Sequence, residues 1–357
     1  MNQPSPKSTY HVLGVMSGTS LDGLDLAIVK LEVINGKWSY ELLSSESLEY
    51  SIDWKHKLKN AFSLDNQSLD LLDAEFGDFI GESIHNLIAD QNIILDFIAS
   101  HGHTVFHQPG QGITVQIGDA KAIYGQTNIP VISNFRALDV SLGGQGAPLV
   151  PIGDRLLFHE YNYCLNLGGI ANISFEEESE RRAYDICPFN MTLNYLTMEL
   201  GLPFDEGGKI AQSGALDTEL FNQLNDISYC QAAPPKSLGY EEFLKFWKPV
   251  LDDSKASTIN KLRTVVEHCA LQIGKTIASA GDSVLVTGGG AFNNYFISRL
   301  KEITNNEVVI PIDTTIEFKE AIVFALLGAL KYRGDSNCLA SVTGASQNNS
   351  GGVMYGF

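Results

Sequence analysis

The chain has 357 residues, with 24 Lys or Arg against 42 Asp or Glu, which gives a formal net charge of -18 at pH 7. This charge repels nucleic-acid backbones and anionic membrane surfaces, so neither nucleic acid nor a membrane is an expected partner. A hydrophobic content of 44% over this length is sufficient for two packed cores. A nucleotide would have to be bound by backbone N–H groups, helix N-termini and a divalent cation.

The sequence contains little evidence for export, for a membrane span or for an oxidising compartment. The N-terminal MNQPSPKSTY contains no apolar run and indicates a polar tail rather than a signal peptide. The apolar run AIVFALLGAL at 321–330 is too short to cross a bilayer and indicates a buried helix. The 5 cysteines are odd in number and form no CxxC pair, so neither a disulfide framework nor a zinc site is indicated. The cytoplasm is the expected location.

Three apolar runs with a two-residue period open the chain, and turn-forming residues separate them. These runs, HVLGVM, LDLAIVKLEV and WSYELLSSESLEY, predict a three-stranded antiparallel meander. Helical periodicity follows over 69–88, and IILDFIASHG then predicts a buried strand that ends in a loop. The segments ITVQIG, DAKAIYGQT and VISNF predict a further strand, helix and strand.

The Gly/Pro-rich stretch SLGGQGAPLVP at 141–151 interrupts this series, and the hairpin YCLNLGGIANISF starts a second one. The second series continues through AYDICPFN, a helix from about 191 to 200, further helices to about 280, the strand SVLVTGGG, the helix NNYFISRLKEI, the strand VVIP and the helix FKEAIVFALLGALKY. Each half starts with a glycine-turn hairpin and continues with alternating helices and strands. We therefore predict two mixed α/β lobes with a cleft between them: 1–140, a connecting segment at 141–160, and 161–357.

The segment GTSLDG at 18–23 has two interpretations. Asp22-Gly23 is a strong two-residue turn signal, which favours a simple hairpin. Alternatively, Gly18 and Gly23 allow backbone N–H groups to face a phosphate, hydroxyl side chains donate to it, and Asp22 binds a cation through water.

Two further glycine clusters follow apolar strands. Gly168-Gly169 is typical of a turn between strands, whereas Gly288-Gly289-Gly290 lies between a strand and a helix, where α/β sheets bind nucleotides. No GxxxxGK[ST] occurs, and TGGGAFNN lacks the third glycine of GxGxxG, which argues against P-loop and Rossmann sites. The remaining interpretation is a nucleotide bound by two glycine hairpins, one from each lobe, with the third glycine turn nearby.

Eight strings spanning nearly the whole chain occur in the order found in anhydro-N-acetylmuramic acid kinases. They are GVMSGTSLDGLD, SHGHTVFHQP, NFRALDVSLGGQGAPLVP, NLGGIANIS, DEGGKIAQSG, PPKSLG, VTGGGAFN and SVTGASQ. The chain therefore resembles this family of the sugar kinase, Hsp70 and actin superfamily. The resemblance implies a duplicated ribonuclease-H-like (actin/hexokinase-like) α/β fold, MgATP in the interlobe cleft and a cytoplasmic homodimer. Together with the glycine clusters, it predicts an ATP site formed by Gly18, Thr19, Ser20, Leu21, Asp22, Gly23, Leu24, Asp25, Gly168, Gly169, Gly288, Gly289 and Gly290. Asp22 is the candidate for holding Mg2+ through water.

The implied reaction opens the ring of 1,6-anhydro-N-acetylmuramic acid with water and phosphorylates O6, giving N-acetylmuramic acid 6-phosphate for cell-wall recycling. It needs a carboxylate that activates water at C1 while the leaving O6 attacks the γ-phosphate of ATP.

By resemblance this base is Asp185 in AYDICPFN; the alternative is an aspartate that ends a strand or caps a helix. Cys187 and Phe189 replace two glycines of the family pattern D-[IT]-G-P-G-N. We expect those glycines to permit unusual backbone torsions or close approach of the sugar in the family.

The resemblance also implies substrate contacts in NFRALD and a second acidic residue near the sugar. Arg136 could bind the lactyl carboxylate bidentately and Asp139 lies in the same contact region; a surface salt bridge is the alternative. Glu320 would assist catalysis, or would simply be an acidic residue in the first turn of a helix.

The histidines His101, His103 and His107 in SHGHTVFHQP suggest a metal site, because HxH on a strand would place both rings on one face. No complementary carboxylate or cysteine spacing supports that interpretation. Loop structure or a hydrogen bond to substrate is favoured, and His101 is the substrate-binding candidate.

Two other functions remain open. Cys187 and Phe189 favour a kinase of the same fold for another anhydro-sugar such as levoglucosan. A non-catalytic sensor that binds a muropeptide fragment or nucleotide would show ligand-induced stabilisation without phosphoryl transfer.

Overall fold

Two separate β-sheets organise the chain, and the computed structural model describes residues 7–89, 91–277 and 281–357. The chain divides into a first unit, Met1–Leu157 with Phe318–Phe357, and a second unit, Phe158–Glu317. The polar tail expected at the N-terminus lies outside the described residues as far as residue 6.

This division differs from the predicted one, which assigned the whole C-terminal segment to the second lobe. The strand Val353–Tyr355 pairs with Val131–Ser133 in the first sheet. A β-carbon at Gly14 would lie 1.9 Å from the Ala321 carbonyl oxygen, so the C-terminal helix packs directly on this sheet at a glycine. Contacts between residues far apart in sequence therefore place Phe318–Phe357 with the first unit.

The first sheet contains 7 strands in the order β12-β6-β4-β1-β2-β3, with β5 paired to β4. β1, β2 and β3 form the predicted antiparallel meander, whereas β1 with β4, and β4 with β6, are parallel. The strands are β1 (Thr9–Ser17), β2 (Gly23–Ile34), β3 (Lys37–Glu49), β4 (Phe97–Gln108), β5 (Ile113–Ile117), β6 (Val131–Ser133) and β12 (Val353–Tyr355).

Helices cover both faces of this sheet. α2 (Asn66–Ile88) confirms the predicted helix and buries Phe76 and Ile80 in a core with Leu13 and Val15 of β1. Gly14 alternates with those two residues and therefore faces the opposite side, where α14 (Asp313–Arg333) packs. The other helices of this unit are α1 (Ile52–Asn60), α3 (Ala120–Thr127), α4 (Ala137–Ser141), α5 (Val150–Leu157) and α15 (Ala340–Thr343), with 3-10 helices at Ala61–Ser63 and Pro109–Gln111.

The second sheet repeats the topology of the first. Its 5 strands lie in the order β11-β10-β7-β8-β9, which matches β6-β4-β1-β2-β3 position by position. In both sheets the first three strands in chain order form antiparallel pairs. The other two strands of the matching order extend the sheet from the first strand in parallel pairings. This repetition confirms the duplicated α/β fold that the resemblance implies. The strands are β7 (Tyr163–Leu167), β8 (Ile170–Glu177), β9 (Glu180–Pro188), β10 (Ser283–Thr287) and β11 (Glu307–Val309).

The long helix α12 (Thr258–Thr276) lies at the centre of the second core, where Val265, Val266 and Cys269 are fully buried. The expected helical stretch up to residue 280 includes 278–280, which lie outside the described residues. The other helices are α6 (Asn190–Met198), α7 (Lys209–Ser213), α8 (Thr218–Asn225), α9 (Ser228–Gln231), α10 (Tyr240–Glu242), α11 (Lys248–Asp253) and α13 (Asn294–Thr304), with 3-10 helices at Glu206–Gly208 and Gly289–Phe292 and a π-helix at Phe243–Trp247. Among the described helices, none combines the length and apolar character needed to span a membrane.

Candidate active site

The connection between β1 and β2 is a five-residue loop, Gly18–Asp22, rather than the two-residue Asp-Gly turn that the sequence suggests. Thr19, Ser20 and Asp22 are exposed in it. Leu21 adopts a φ of 61°, and its N–H donates to the Gly18 carbonyl at 3.3 Å. A left-handed leucine is unusual, and strained backbone of this kind is concentrated at ligand-binding loops. The loop is therefore a candidate anion site.

Three residues predicted to bind the nucleotide lie instead in strand β2. A β-carbon at Gly23 would be 2.5 Å from the Leu48 carbonyl oxygen. The close approach of β3 therefore explains why a residue without a side chain occupies this position. Leu24 is fully buried in the core, and the carboxylate of Asp25 accepts a hydrogen bond from Ser47 at 2.7 Å. The predicted loop is thus shortened to Gly18–Asp22.

A buried hydrogen-bonded chain supports the start of this loop. The Tyr50 hydroxyl donates to Ser17 Oγ at 2.7 Å, and Ser17 Oγ lies 2.9 Å from His103 Nδ1. Because a serine hydroxyl carries one proton, Ser17 donates to His103 Nδ1. Burial lowers the pKa of His103 to about 4, so its imidazole is neutral at pH 7.

His101 and His103 lie on opposite faces of the sheet, so the expectation that HxH places both rings on one face is wrong. The His103 ring contacts Phe76 of α2, whereas the His101 ring contacts Phe324 of α14 at a centroid distance of 4.7 Å. Gly102 between them has a φ of 71°, and the β1–β4 register shifts nearby, which breaks the two-residue alternation. These two rings cannot share a metal ion.

Arg136 is held by two acceptors within the first unit. Its Nε donates to His101 Nε2 at 3.0 Å and its Nη1 donates to the Gly146 carbonyl at 2.7 Å. Since Nε2 of His101 accepts, its Nδ1 carries the proton and donates to the Gly102 carbonyl at 2.9 Å. Both ring nitrogens of His101 are thereby occupied inside the protein, which corrects its assignment as a direct substrate contact.

Asp139, another predicted substrate contact, is fully buried. Its Oδ2 accepts from the Gly146 N–H at 2.8 Å, and its Oδ1 accepts from Thr343 Oγ1 at 2.9 Å and Asn349 Nδ2 at 2.8 Å. A β-carbon at Gly144 would lie 2.2 Å from Oδ2. Asp139 therefore joins the loop after α4 to the C-terminal segment and presents no exposed oxygen to a sugar.

Glu320 lies well inside α14, which begins at Asp313, so the alternative of a first-turn acidic residue is wrong. Its side chain is exposed, but the protein around it limits hydration and raises the pKa of the carboxyl. The Arg136 guanidinium opposes this rise in pKa and Asp25 adds to it, which places the three groups in one neighbourhood.

Asp185 lies in β9 at a β-bulge of the second sheet. Asn172 pairs with Asp185 and Ala171 with Cys187, so one residue is left unpaired between them. Its Oδ2 accepts from the Leu238 N–H at 2.8 Å. Burial raises the pKa of the Asp185 carboxyl, and the Leu238 hydrogen bond opposes that rise. Since β9 continues to Pro188 and Phe189 is the N-cap of α6, Asp185 neither ends the strand nor caps the helix.

Cys187 and Phe189, which replace family glycines, are both fully buried. Phe189 has a φ of -105° and packs edge-to-face on Phe296 at 4.5 Å, and neither residue has a positive φ. The glycines are therefore not needed for backbone torsion here. Neither replacement presents exposed atoms that would reshape a sugar pocket.

A cavity of about 580 Å³ lies within the second unit. It is lined by Asn190, Leu193, Asn194, Phe204, Asp205, Glu206, Gly207, Lys209, Gly289, Gly290, Phe292, Asn293 and Asn294. This volume is typical of a small-molecule site, and amide groups with two phenylalanines suit a planar polar heterocycle. The glycine turn after β10 thus contributes Gly289 and Gly290 to a wall.

The other predicted glycines of the second unit have supporting positions. Gly288 packs against the end of β7, where a β-carbon would lie 2.6 Å from Asn166 Oδ1. The Gly168 carbonyl accepts from the Asn190 N–H, and the Gly169 carbonyl accepts from the Phe189 and Met191 N–H groups. These contacts set the start of α6, and α6 supplies Asn190 and Asn194 to the cavity.

The eight strings form two groups of four, one in each unit. In the first unit, Gln145 N–H donates to the Thr343 carbonyl, which joins SLGGQG to SVTGASQ. In the second, PPKSLG contacts Asp185 through Leu238, and Gly208 of DEGGK packs against Asn293.

Comparison with known proteins decides the family. The model of the anhydro-N-acetylmuramic acid kinase family matches residues 10–356. This chain belongs to the anhydro-N-acetylmuramic acid kinase family. The anhydro-N-acetylmuramic acid kinase of Synechococcus elongatus is 35% identical, covering 94% of this chain and 96% of its own, and that of Bacillus cereus is 34% identical, covering 95% and 97%. Component A of the (R)-2-hydroxyglutaryl-CoA dehydratase of Acidaminococcus fermentans matches 90% of this chain and 99% of its own with a TM-score of 0.46 at 12% identity.

Membership of the anhydro-N-acetylmuramic acid kinase family confirms the predicted resemblance and the enzyme class, and a kinase of this family uses ATP. Sequence reasoning missed the asparagines of the cavity and its Phe204 and Phe292 walls. The sequence signal for this wall is DEGGKIAQSG, one of the eight family strings, which supplies Asp205, Glu206, Gly207 and Lys209.

Proposed function

We propose that this chain opens 1,6-anhydro-N-acetylmuramic acid with water and phosphorylates its O6 from ATP, giving N-acetylmuramic acid 6-phosphate in cell-wall recycling. The observation that carries the proposal is Asp185, a half-buried carboxyl with a raised pKa at a strand bulge in a member of this kinase family. Bulges commonly redirect side chains next to active sites.

We assign the nucleoside of ATP to the cavity of the second unit. Gly289 supports this assignment, since a β-carbon there would meet nothing nearer than 3.9 Å and its backbone is open to a ligand. We assign the phosphates to the exposed loop Gly18–Asp22, where Thr19 and Ser20 offer hydroxyl donors. ATP supplies the phosphoryl group that the sugar accepts.

Mg2+ is proposed as the metal. The described residues contain no group of three or more His, Cys, Asp or Glu side chains arranged to hold a metal ion. Mg2+ usually keeps several waters and binds proteins through one or two carboxylates together with substrate phosphates. The exposed Asp22 carboxylate in the proposed phosphate loop fits that mode, with a water between it and the ion.

Asp185 acts as the general base. Leu238 holds Oδ2, so Oδ1 is the oxygen that accepts a proton from the attacking water. The resulting hydroxide oxygen bonds to C1 as the C1–O6 bond breaks. O6 keeps that electron pair and bonds to the γ-phosphorus, so it needs no proton, and ADP leaves. A base whose pKa lies above that of an ordinary aspartate accepts the proton more readily.

Arg136 binds the lactyl carboxylate of the sugar, and Glu320 lies in the same neighbourhood of the first unit. Levoglucosan lacks both the lactyl and the N-acetyl group, so it would leave Arg136 without a partner. Neither levoglucosan phosphorylation nor a sensor function is favoured by membership of this family.

The test is a coupled ADP assay with MgATP and each sugar, combined with mass spectrometry of the product. We expect ADP and an open-ring 6-phosphate in equal amounts from 1,6-anhydro-N-acetylmuramic acid, and a much lower kcat/KM for levoglucosan. Preferential turnover of levoglucosan, or ligand-induced stabilisation without ADP formation, would replace the proposal by one of its alternatives.

The homodimer and the cytoplasmic location implied by the resemblance are proposals as well. Light scattering of the purified chain should give twice the monomer mass of 39.0 kDa. Cell fractionation should recover the chain with cytoplasmic markers.

A further inference from the structure

We infer that His101 and Asp139 are positioning residues that fix the Arg136 guanidinium so that its Nη2 side faces a substrate carboxylate. The inference rests on the proposed function and deepens it, because it states how the first unit would select a sugar acid.

Arg136 has more N–H donors than its two protein acceptors use. A guanidinium has five N–H donors in a planar fork, and two of its three nitrogens are already bonded, Nε to His101 and Nη1 to Gly146. Within the described residues, no carboxylate lies within 4.0 Å of this guanidinium. Each terminal nitrogen retains a donor, and the Nη1–Nη2 pair matches the two oxygens of a carboxylate.

His101 fixes the rotation of the guanidinium plane. Its Nε2 can accept from Arg136 only in the tautomer with the proton on Nδ1, and the Gly102 carbonyl accepts that proton at 2.9 Å. The Phe324 ring packs against the imidazole. The histidine is therefore oriented by its surroundings before it orients the arginine.

Asp139 acts on Arg136 through a single glycine, Gly146. Asp139 accepts from the Gly146 N–H, and the Gly146 carbonyl accepts from Arg136 Nη1. Thr343 and Asn349 anchor the other oxygen of Asp139. The carboxylate therefore sets the position of the carbonyl that holds the arginine, without approaching the substrate.

The experiment compares two sugars across matched variants. The sugars are 1,6-anhydro-N-acetylmuramic acid and 1,6-anhydro-N-acetylglucosamine, which lacks the lactyl carboxylate and is measured as a substrate or as a competitive inhibitor. His101→Leu removes the acceptor, His101→Gln restores one through Oε1, and His56→Leu changes an exposed histidine as the control.

We expect His101→Leu to raise KM for the muramic sugar about tenfold or more, with kcat and the affinity for the glucosamine analogue within about twofold of wild type. His101→Gln should recover most of the loss, and Asp139→Asn should act in the same direction in protein that remains folded by thermal unfolding. In an Arg136→Leu background, His101→Leu should add nothing further.

Equal losses for both sugars would overturn the inference, as would a His101→Gln variant no better than His101→Leu. If the wild-type enzyme used or bound the two sugars equally well, the inference would be overturned while the kinase proposal stayed intact. Turnover of neither sugar would remove both.

Discussion

The Leu238 N–H donates to Oδ2 of Asp185 at 2.8 Å, joining residues that are 53 positions apart in the sequence. The Asp185 N–H donates to the Lys236 carbonyl, two residues before Leu238. The Tyr229 hydroxyl donates to the Asp185 carbonyl at 2.8 Å. The catalytic candidate is thus fixed at its backbone and at one carboxylate oxygen, which leaves the other oxygen for water.

Replacing Asp185 by Asn should lower kcat by about 10²–10⁴-fold, the usual contribution of a positioned general base, with KM for ATP changed little. The amide oxygen can still accept from Leu238, so the geometry is retained while the base is lost. Steady-state kinetics against both substrates measure the effect, and Asp226→Asn at an exposed position is the matched control.

The thermal stability of Asp185→Asn separates loss of the base from loss of folding. Because burial raises the pKa of Asp185 in the folded chain, this group stabilises the fold below its unfolded pKa and loses that contribution as pH rises through the folded pKa. Removing the charge should therefore leave Tm at pH 7 unchanged or higher. A Tm that falls sharply with activity would assign Asp185 a structural role instead.

The pH profile of kcat/KM should have an acidic limb set by Asp185. The base must be ionised, so activity is lost as pH falls through its pKa, and burial places that pKa above the value of about 3.9 for an ordinary aspartate. Burial also lowers the pKa of His103 to about 4, so the limb must be assigned by mutation. The residual activity of Asp185→Asn should show no acidic limb in its pH profile. An acidic limb that persists in this variant would belong to another group.

Adjacent glycines of the cavity should respond differently to alanine. A β-carbon at Gly290 would lie 2.4 Å from Phe189 Cε1 and 2.6 Å from Leu167 Cβ, both in the core, so Gly290→Ala should destabilise by about 1–3 kcal/mol. Gly289 has room for a methyl group, so Gly289→Ala should keep Tm and raise KM for ATP. Chemical denaturation and ATP titration measure both, and unchanged KM for Gly289→Ala would place the nucleotide elsewhere.

Ser17→Ala should reduce the free energy of unfolding by about 1–3 kcal/mol, because it leaves the buried Tyr50 hydroxyl and His103 Nδ1 without their shared partner. The exposed Ser20→Ala is the control and should change stability by less than about 0.5 kcal/mol. Urea unfolding of the two variants compares them. Equal stabilities would mean that the Tyr50–Ser17–His103 chain contributes nothing to the first unit.

Local patterns were enough to predict most elements of the fold. The period-two runs gave the β1–β2–β3 meander, and the glycine turn at 168–169 gave the β7–β8 hairpin, because strand alternation and turn chemistry depend on neighbouring residues. Their repetition predicted two mixed α/β lobes, and the family resemblance implied that the topology is duplicated.

Features that depend on long-range packing or on one backbone torsion were not predictable. Nothing local to Asp139 indicates that Thr343 and Asn349 bind it, so its burial and the membership of Phe318–Phe357 in the first unit were missed. The positive φ of Gly102 reverses the face of His103, which no residue-type pattern reveals. The cavity escaped prediction because its walls come from segments more than 80 residues apart, such as those containing Phe204 and Phe292.

Turnover in H2 18O tests the central claim most directly. Product from 1,6-anhydro-N-acetylmuramic acid and MgATP is analysed by mass spectrometry before the anomeric oxygen exchanges with solvent. We predict one 18O atom at C1 and none in the 6-phosphate, because water attacks carbon and O6 attacks phosphorus. Label recovered in inorganic phosphate, with the anhydro ring intact, would contradict the account and leave only an ATPase.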